Sequence, residues 1–339
     1  MPSDTTRKLL RILFVLVWMG VGALLLWLLV RQLEVAKLQE ELSRLALAPL
    51  LLAVTLDVIA VLCKACKWHL LLRPLQKLSV VRLQGAIYAG GAVSVVLPFR
   101  LDEGVRAYAA ARMSGLRWAQ VIGSMALERL VDLFVIGVVV LALLAMLPLP
   151  QLFSGTLLVV GVLSAIIIGV LVLSHLFSSA RWIPPRISRF IESMAEGSRA
   201  MARPHLLGGA TVFALGEWAL TVTVAALVSG AGSMEVPLSG LILTTTLLFA
   251  AFAIPMVPAG IGPFEWAVAE CLPRLYSVTR VQAATMALVM HTLLLAPMVT
   301  VGTTIIVVTG IRLRDVQRWR KESESDSESD SESVSESEE

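Results

Sequence analysis

The chain has 339 residues, of which 57% are apolar and only 16% are charged, and its mean hydropathy is +0.82. This composition excludes a soluble globular domain and indicates a protein embedded in a membrane. The formal net charge is +3, but nine of the 25 acidic residues lie in residues 322–339, which leaves 16 acidic against 28 basic residues elsewhere. Such a basic excess indicates cytoplasmic loops that face anionic lipid headgroups, and not a nucleic-acid partner.

Two apolar segments at the start of the chain predict membrane-spanning helices. Residues 9–30 are long enough to cross the hydrocarbon and lack the small-residue cleavage site of a signal peptide. Residues 45–63, which contain Asp57, form the second segment. Arg7, Lys8 and Arg11 lie at the start of the first segment, and Arg31 follows it; the basic side chains that follow the second segment are Lys64, Lys67, Arg73, Lys77 and Arg82. Because cytoplasmic loops are enriched in Lys and Arg, this pattern places the N-terminus and the loop 64–82 in the cytoplasm.

The next apolar segment predicts a re-entrant hairpin. Residues 85–97 are only 13 residues long, too short to cross about 30 Å of hydrocarbon at about 1.5 Å per residue. Because Arg112 and Arg117 lie at its far end, the longer segment from Arg82 to Arg112 is expected to be a hairpin that enters from the cytoplasm and returns to it. Residues 118–147 then cross outward, and residues 156–177 cross back.

The loop over residues 178–205 contains five arginines and is predicted to be cytoplasmic. Within it, apolar residues recur at near-helical spacing over residues 187–201, opposite the arginines. Two interpretations stay open, a helix lying on the inner leaflet and a solvated connecting helix. Residues 206–229, with Glu217 among them, cross outward.

The last apolar segments predict a second re-entrant hairpin. If residues 238–254 crossed the membrane, the basic end that follows residue 311 would lie outside, against the positive-inside rule. A hairpin over residues 238–272, entering from the outside and turning at residues 255–263, places that basic end inside. Residues 283–311 then form the last span.

Together these segments predict an all-α polytopic membrane protein with about six full spans and two re-entrant hairpins that enter from opposite faces. The order of span, span, hairpin and span occurs twice, so an inverted repeat is a hypothesis from topology alone. Residues 1–315 are predicted to form one integral membrane domain. Residues 316–339 are a cytoplasmic basic end and a Ser/Asp/Glu tail whose composition predicts disorder.

A set of charged residues lies in and beside the apolar segments of the first half. It comprises Arg100, Asp102, Glu103, Arg106, Glu128, Arg129 and Asp132. Glu128 and Asp132, four residues apart, share one face of a helix. Each charge at the bilayer centre costs at least about 2.5–3.5 kcal/mol, so these residues must line a cavity or pair with each other. In one interpretation they form a structural ion-pair network. In the other, Arg100 or Arg106 binds a lipid phosphate, and Glu103 and Glu128 hold the arginines in place.

Glu265 follows a second turn signal, formed by Pro258, Gly260, Gly262 and Pro263. Pro263 suits the first turn of a helix, whose N-terminus stabilises a carboxylate. Glu265 is therefore interpreted either as a contact for a cationic headgroup or a proton-coupling site, or as an exposed helix cap in the outer loop. Single polar residues on apolar helices are predicted to be contacts between helices, and these are Asp57, Glu217, Glu270 and His291.

The charged and broken segments resemble the lysylphosphatidylglycerol synthase transmembrane region family, also called the flippase-like domain family, over about residues 5–315. Its pattern is roughly P-x-R-x-G-E-x-x-R, then E-R-x-x-D, then P-x-G-x-G-x-x-E. Asp102 stands where the family more often has glycine. Besides Pro98, the matching residues, for which the resemblance implies substrate binding, are Arg100, Glu103, Arg106, Glu128, Arg129, Asp132, Pro258, Gly260, Gly262 and Glu265.

The resemblance implies a lipid transporter, or flippase, that moves a phosphate-bearing phospholipid or a polyprenyl-phosphate-linked lipid between leaflets. Multidomain relatives couple this region to a domain that aminoacylates phosphatidylglycerol or to a glycosyltransferase. Only the basic end and the acidic tail follow residue 311, so we do not expect this chain to make a modified lipid itself. Two alternatives stay open, an intramembrane lipid-modifying transferase and a non-catalytic scaffold for a lipid-synthesis enzyme.

No catalytic motif, cofactor or metal site is predicted. Cys63 and Cys66 have the C-x-x-C spacing, with His69 three residues on, but no second ligand pair exists and the segment continues as a helix. The expected partners are membrane lipids with anionic headgroups, with a lipid-synthesis enzyme and a second copy of the chain as further candidates. The expected location is the inner (plasma) membrane of the cell, with both termini cytoplasmic.

Overall fold

The regular secondary structure of the described residues is helical. The computed structural model describes residues 17, 20–29, 31–96, 101–146, 192–193, 195–253 and 257–310. Within these ranges there is no strand, which confirms the all-α prediction. The α-helices are α1 (Gly20–Leu29), α2 (Val35–Ser43), α3 (Leu47–Leu72), α4 (Val80–Val96), α5 (Leu101–Ser114), α6 (Trp118–Met146), α7 (Pro204–Ala231), α8 (Leu238–Ala253), α9 (Pro263–Leu275) and α10 (Arg280–Thr309).

Three of these helices, α3, α7 and α10, are long enough and apolar enough to cross a membrane. They have 26, 28 and 30 residues, so at about 1.5 Å per residue each exceeds the roughly 30 Å of the hydrocarbon. Helix α6 has 29 residues and matches a fourth predicted span, but it contains Glu128, Arg129 and Asp132. Of the first predicted span, the structure describes Val17 and residues 20–29. The predicted span 156–177 and the tail 316–339 lie outside the described residues.

Helix α3 ends later than the sequence predicts. Its last residue is Leu72, and Pro74 follows two residues later, where it disfavours helical continuation. The prediction that Lys64 and Lys67 lie in a cytoplasmic loop is wrong, because both are on this helix. The helix continues through both lysines because their charges are met by carboxylates on other helices.

Residues 97–100, where the turn of the first hairpin is predicted, lie outside the described residues. Helix α4 ends at Val96 and α5 begins at Leu101. Arg100 falls in this gap and lies outside the described residues. Asp102 and Glu103 are in the first turn of α5, where the N-terminus of a helix stabilises carboxylates, so the position of Asp102 does not require glycine. Entry of this hairpin from the cytoplasm stays a prediction.

Helices α8 and α9 pack against each other, and a turn with non-helical backbone precedes α9. That they form a re-entrant hairpin stays a prediction. A short 3-10 helix, Pro258–Gly260, lies in this turn and also packs on α8. Three residues of the turn have positive φ: Ala259 at 47°, Gly260 at 70° and Gly262 at 98°. Backbone of this kind lets the chain leave one helix and begin another within a few residues. We call residues 257–262 the hairpin turn; its orientation relative to the membrane stays a prediction.

The chain divides into two compact units, and neither is a continuous half of the sequence. The first comprises Met1–Ile59, Gly91–Asp102 and Trp218–Val301, and the second comprises Ala60–Gly90, Glu103–Glu217 and Gly302–Glu339. In the first unit, a buried apolar cluster joins Leu29 and Leu33 to Ala269 and Ala284. Among the described residues of the second, Trp68 is the largest side chain that is completely buried. The sequence predicted one domain over residues 1–315 and gave no sign of these two units. The inverted repeat stays a prediction.

The segment that precedes α7 packs on the start of α6. The carboxylate of Glu196 accepts hydrogen bonds from Arg117 (2.6 Å) and Gln120 (2.7 Å). Burial opposes the ionisation of Glu196, but the hydrogen bond from Gln120 and the charge of Arg117 outweigh it and lower the pKa of this carboxyl. The described part of the segment is therefore attached to α6, while residues 187–191 of the predicted helix lie outside the described residues.

Candidate functional site

The second unit contains a cluster of eight charged side chains contributed by α3, α5, α6 and α7. We call it the charge cluster, and its members are Lys64, Lys67, Glu103, Arg106, Glu128, Arg129, Asp132 and Glu217. Four members are cations and four are carboxylates, so the cluster is neutral when all are ionised. Neutrality allows these charges to lie inside a helical membrane protein, because charges there must pair with one another.

Lys67 is at the centre of the charge cluster and is completely buried. Its Nζ lies 2.5 Å from Oδ1 of Asp132 and 2.8 Å from Oε2 of Glu217, with Oε1 of Glu128 at 3.9 Å. One ammonium group thus binds α3 to α6 and α7. Moving a charged group from water to the protein interior costs several kcal/mol per ion. The close contacts of Lys67 with carboxylates offset this cost.

Arg106, on α5, is enclosed by aromatic and acidic neighbours. Its Nη2 donates a hydrogen bond of 2.5 Å to Oε2 of Glu128, and its guanidinium carbon lies 3.8 Å from the ring centre of Trp68. The Trp68 indole is itself fixed by a 3.1 Å hydrogen bond to Ser124. Only 5% of Arg106 is exposed, so this arginine fits the interpretation of a structural ion pair.

Arg129 differs from Arg106 in being accessible. Its side chain is 33% exposed, and two of its contacts are longer than the 2.5 Å contact of Arg106: Nη2 lies 3.1 Å from Oε1 of Glu103, and Nη1 lies 3.4 Å from Oδ2 of Asp132. A partly open cavity of about 230 Å³ lies beside it. The residues that line this cavity are Glu103, Ile122, Met125, Ala126 and Arg129. A guanidinium in this position can bind an anion that enters the cavity, with two parallel donors.

In the first unit, Glu265 is both a helix cap and the partner of a histidine. Its Oε2 accepts a 2.7 Å hydrogen bond from the backbone N–H of Gly262, and its Oε1 lies 2.5 Å from Nδ1 of His291 on α10. The other ring nitrogen of His291, Nε2, lies 3.0 Å from the carbonyl oxygen of Ala259. Glu265 is 3% exposed and His291 2%. The interpretation of Glu265 as a helix cap is therefore correct, because its carboxylate accepts the hydrogen bond from Gly262. The expectation that this cap is exposed is wrong, because Glu265 is buried.

The hairpin turn is strained and closely packed. The backbone of Ala259, a residue with a Cβ, adopts the left-handed conformation. This conformation costs about 1–3 kcal/mol and persists only where surrounding contacts fix it. A Cβ at Gly262 would collide with the backbone of Gly22, and one at Gly22 would approach the carbonyl oxygen of Ile261 to 2.9 Å. Glycine at both positions therefore permits contact between α1 and the turn.

The structure brings the predicted site residues together in two groups. In the second unit the predicted residues that meet are Glu103, Arg106, Glu128, Arg129 and Asp132. In the first unit they are Pro258, Gly260, Gly262 and Glu265. No role is assigned to Arg100, which lies outside the described residues.

Lys64, Lys67 and Glu217 complete the charge cluster, His291 completes the second group, and none of the four was predicted as a site residue. Glu217 and His291 were predicted as contacts between helices, and the structure confirms that both make such contacts. Lys67 was missed because it was counted among the basic residues of the predicted loop 64–82, although the C-x-x-C segment around it was expected to continue as a helix. The apolar residues 70–72 that follow it were the signal for a longer helix.

The C-x-x-C segment lies along α3. Cys63 and Cys66 are free thiols, and Nδ1 of His69 lies 2.6 Å from the carbonyl oxygen of Leu78. Within the described part of the chain, no group of three or more His, Cys, Asp or Glu side chains could hold a metal ion.

Long apolar helices, a neutral charge cluster and a strained turn between packed helices define a polytopic α-helical membrane protein with polar groups fixed in its interior. The family model described as the lysylphosphatidylglycerol synthase TM region matches residues 9–302. The chain belongs to this family, and its role is related to membrane lipids. No curated protein matches the sequence.

Proposed function

We propose that this protein binds a lipid phosphate at Arg129 and moves that lipid between the leaflets of the membrane. The lipid is a phosphate-bearing phospholipid or a polyprenyl-phosphate-linked lipid. The observation that carries the proposal is that Arg129 lies half-buried on the wall of a partly open cavity, next to apolar side chains. Membership of a lipid-related family supports it.

The dimensions of the cavity suit a headgroup and not a whole lipid. Its volume of about 230 Å³ is below the roughly 300–1,000 Å³ of sites that enclose a small ligand. Ile122, Met125 and Ala126 give it apolar walls beside the charged pair. A phosphate can therefore enter while the acyl chains stay in the bilayer.

Glu103 is the carboxylate that a lipid phosphate would replace as the partner of Arg129, and its return would release the phosphate. Glu103 and Arg129 are 29% and 33% exposed, and the 3.1 Å contact between them is open to the cavity. A phosphate that replaces Glu103 keeps Arg129 paired, so the guanidinium is never left without an anion. When the lipid leaves, Glu103 pairs with Arg129 again.

Transport of this kind requires no chemical step, and we propose no catalytic residue. The distribution of basic residues supports a location in the inner (plasma) membrane with both termini cytoplasmic. A lipid-synthesis partner and a second copy of the chain stay predictions.

The experiment that tests the proposal is leaflet translocation in proteoliposomes. Wild type is compared with Arg129→Gln and Arg129→Lys, using headgroup-labelled anionic and zwitterionic phospholipids and a labelled polyprenyl phosphate. Wild type is expected to move at least one phosphate-bearing lipid. Arg129→Gln should lose most of this rate, and Arg129→Lys should retain part of it, because a lysine keeps the charge but not the paired donors.

Arg274→Gln is the matched control, because Arg274 also pairs with a carboxylate, Glu270 at 2.7 Å, but does not line the cavity. It should transport like wild type. Transport by Arg129→Gln at the wild-type rate would contradict the proposed site. If wild type moves none of the offered lipids while it remains folded, the transport proposal fails and the scaffold alternative is favoured. Conversion of a lipid to a new product would favour the transferase.

A further inference from the structure

We propose that Glu265 and His291 together bind one proton, and that this proton holds the hairpin turn in its strained conformation. The inference concerns proton binding and the release of the turn. It goes beyond the proposed function and does not depend on which lipid is moved.

The positions of the two ring nitrogens determine where hydrogens must lie. Nε2 of His291 lies 3.0 Å from the carbonyl oxygen of Ala259, and a carbonyl can only accept, so Nε2 carries a hydrogen. Nδ1 lies 2.5 Å from Oε1 of Glu265, a separation at which a hydrogen lies between the two atoms. The pair is therefore an imidazolium beside a carboxylate, or a neutral imidazole beside a carboxylic acid. In both forms it is neutral overall and holds one proton more than a neutral histidine beside an ionised glutamate.

The surroundings of the pair favour this neutral state. Apolar rings face the imidazole from two elements: the ring centre of Phe264 on α9 lies 5.2 Å away, and that of Phe252 on α8 lies 5.8 Å away. In the described residues, Glu265 is the titratable side chain in contact with His291; the turn contributes the carbonyl of Ala259. A net negative charge would be nearly fully buried here, at a cost in free energy that the shared proton removes.

Loss of this proton breaks one of the two contacts. If the remaining ring hydrogen stays on Nδ1, then Nε2 presents a lone pair to the carbonyl oxygen of Ala259. If it stays on Nε2, then Nδ1 presents a lone pair to the Glu265 carboxylate. The turn depends on both contacts, because Glu265 also accepts from the N–H of Gly262 and His291 holds the carbonyl of the strained Ala259. Release of the proton to water therefore loosens the turn, and binding of a proton restores it.

The first test is the protonation state of the ring. Purified full-length protein with 15N-labelled histidine is studied by NMR in lipid nanodiscs, and His291→Gln assigns the signal. At acidic pH, Nε2 is expected to carry a hydrogen, and Nδ1 to share one with Glu265. A ring that carries hydrogen only on Nδ1 at acidic pH would overturn the proposal.

The second test is hydrogen–deuterium exchange of the hairpin turn between about pH 5 and about pH 9, the range in which histidines commonly titrate. After correction for the intrinsic exchange rate, protection of the turn amides should fall as pH rises, by up to about tenfold per pH unit, the slope for one linked proton. His291→Gln should remove this slope. The control His205→Gln, at an exposed histidine, should keep it.

Protection that is independent of pH in wild type, or a wild-type slope in His291→Gln, would contradict the proposal. Neither measurement uses lipid transport. A failure of the lipid-binding proposal at Arg129 would therefore leave this result intact, and a failure here would leave that proposal intact.

Discussion

Lys67 on α3 and Glu217 on α7 lie 2.8 Å apart, although 150 residues separate them in the chain. The same ammonium contacts Asp132 on α6, so a single cation is shared by three helices of the second unit. Its removal leaves carboxylates in a dry interior with fewer partners. The stability of this unit should therefore depend on Lys67 more than on any surface ion pair.

Lys67→Met is expected to destabilise the protein by about 3–5 kcal/mol, because loss of one partner of a buried ion pair leaves uncompensated charge. The measurement is unfolding in detergent, followed by circular dichroism. Lys64→Met is the matched control, because Lys64 is one helical turn away, is 22% exposed and lies 3.5 Å from Glu217. Its effect should be about 1 kcal/mol or less. Equal losses in both variants would contradict a central role for Lys67.

Trp68→Phe should cost about 1–2 kcal/mol, because it removes the indole hydrogen bond to Ser124 and weakens the contact with the Arg106 guanidinium. The comparison is Trp27→Phe, in which an exposed tryptophan under Arg31 is changed in the same way. That change should have an effect of less than about 0.5 kcal/mol, since solvent weakens an exposed cation–π contact. Thermal unfolding of both variants measures the difference.

Three glycine-to-alanine variants separate backbone strain from steric collision. Gly137→Ala, in the open on α6, should be neutral or slightly stabilising, because alanine favours a helix. Gly115→Ala has free space but positive φ, and should cost about 1–2 kcal/mol. Gly262→Ala combines positive φ with a collision against Gly22 and should cost more than Gly115→Ala. Unfolding measurements should give this order; similar values for Gly115→Ala and Gly262→Ala would mean that α1 and the turn are not closely packed.

The contact between Glu196 and α6 should depend on pH in the acidic range. Because the folded state lowers the pKa of Glu196, ionised Glu196 contributes stability above its unfolded value of about 4.3, and this contribution is lost as pH falls through the lower folded value. Wild type should therefore be more stable than Glu196→Gln at pH 7, and the difference should shrink on acidification. Glu235→Gln, at a carboxylate in an exposed loop, is the control for the loss of one negative charge. A difference that is constant with pH would contradict the assignment.

Much of the fold could be predicted because it depends on local sequence. The bounds of α6 and α7 agree with the prediction to within about two residues, since each apolar segment ends at polar, Pro or Gly residues. The hairpin turn was recognised from Pro258, Gly260 and Gly262, whose backbone preferences act at their own positions. That Glu103 and Glu128 hold Arg100 and Arg106 in place was one of the open interpretations, and the structure pairs Arg106 with Glu128.

The sequence by itself determined that this chain lies in a membrane, where its long helices run and which charges must be neutralised, because hydropathy and helix length are local properties. Only the tertiary structure decided which charges meet. It placed Lys67 among carboxylates 61 to 150 residues away and His291 beside a glutamate 26 residues away. It also distinguished Arg106 from Arg129, which are chemically identical, because the Trp68 ring and Glu128 bury one while the other faces a cavity. Burial depends on how distant helices pack, and no local pattern of residues specifies it.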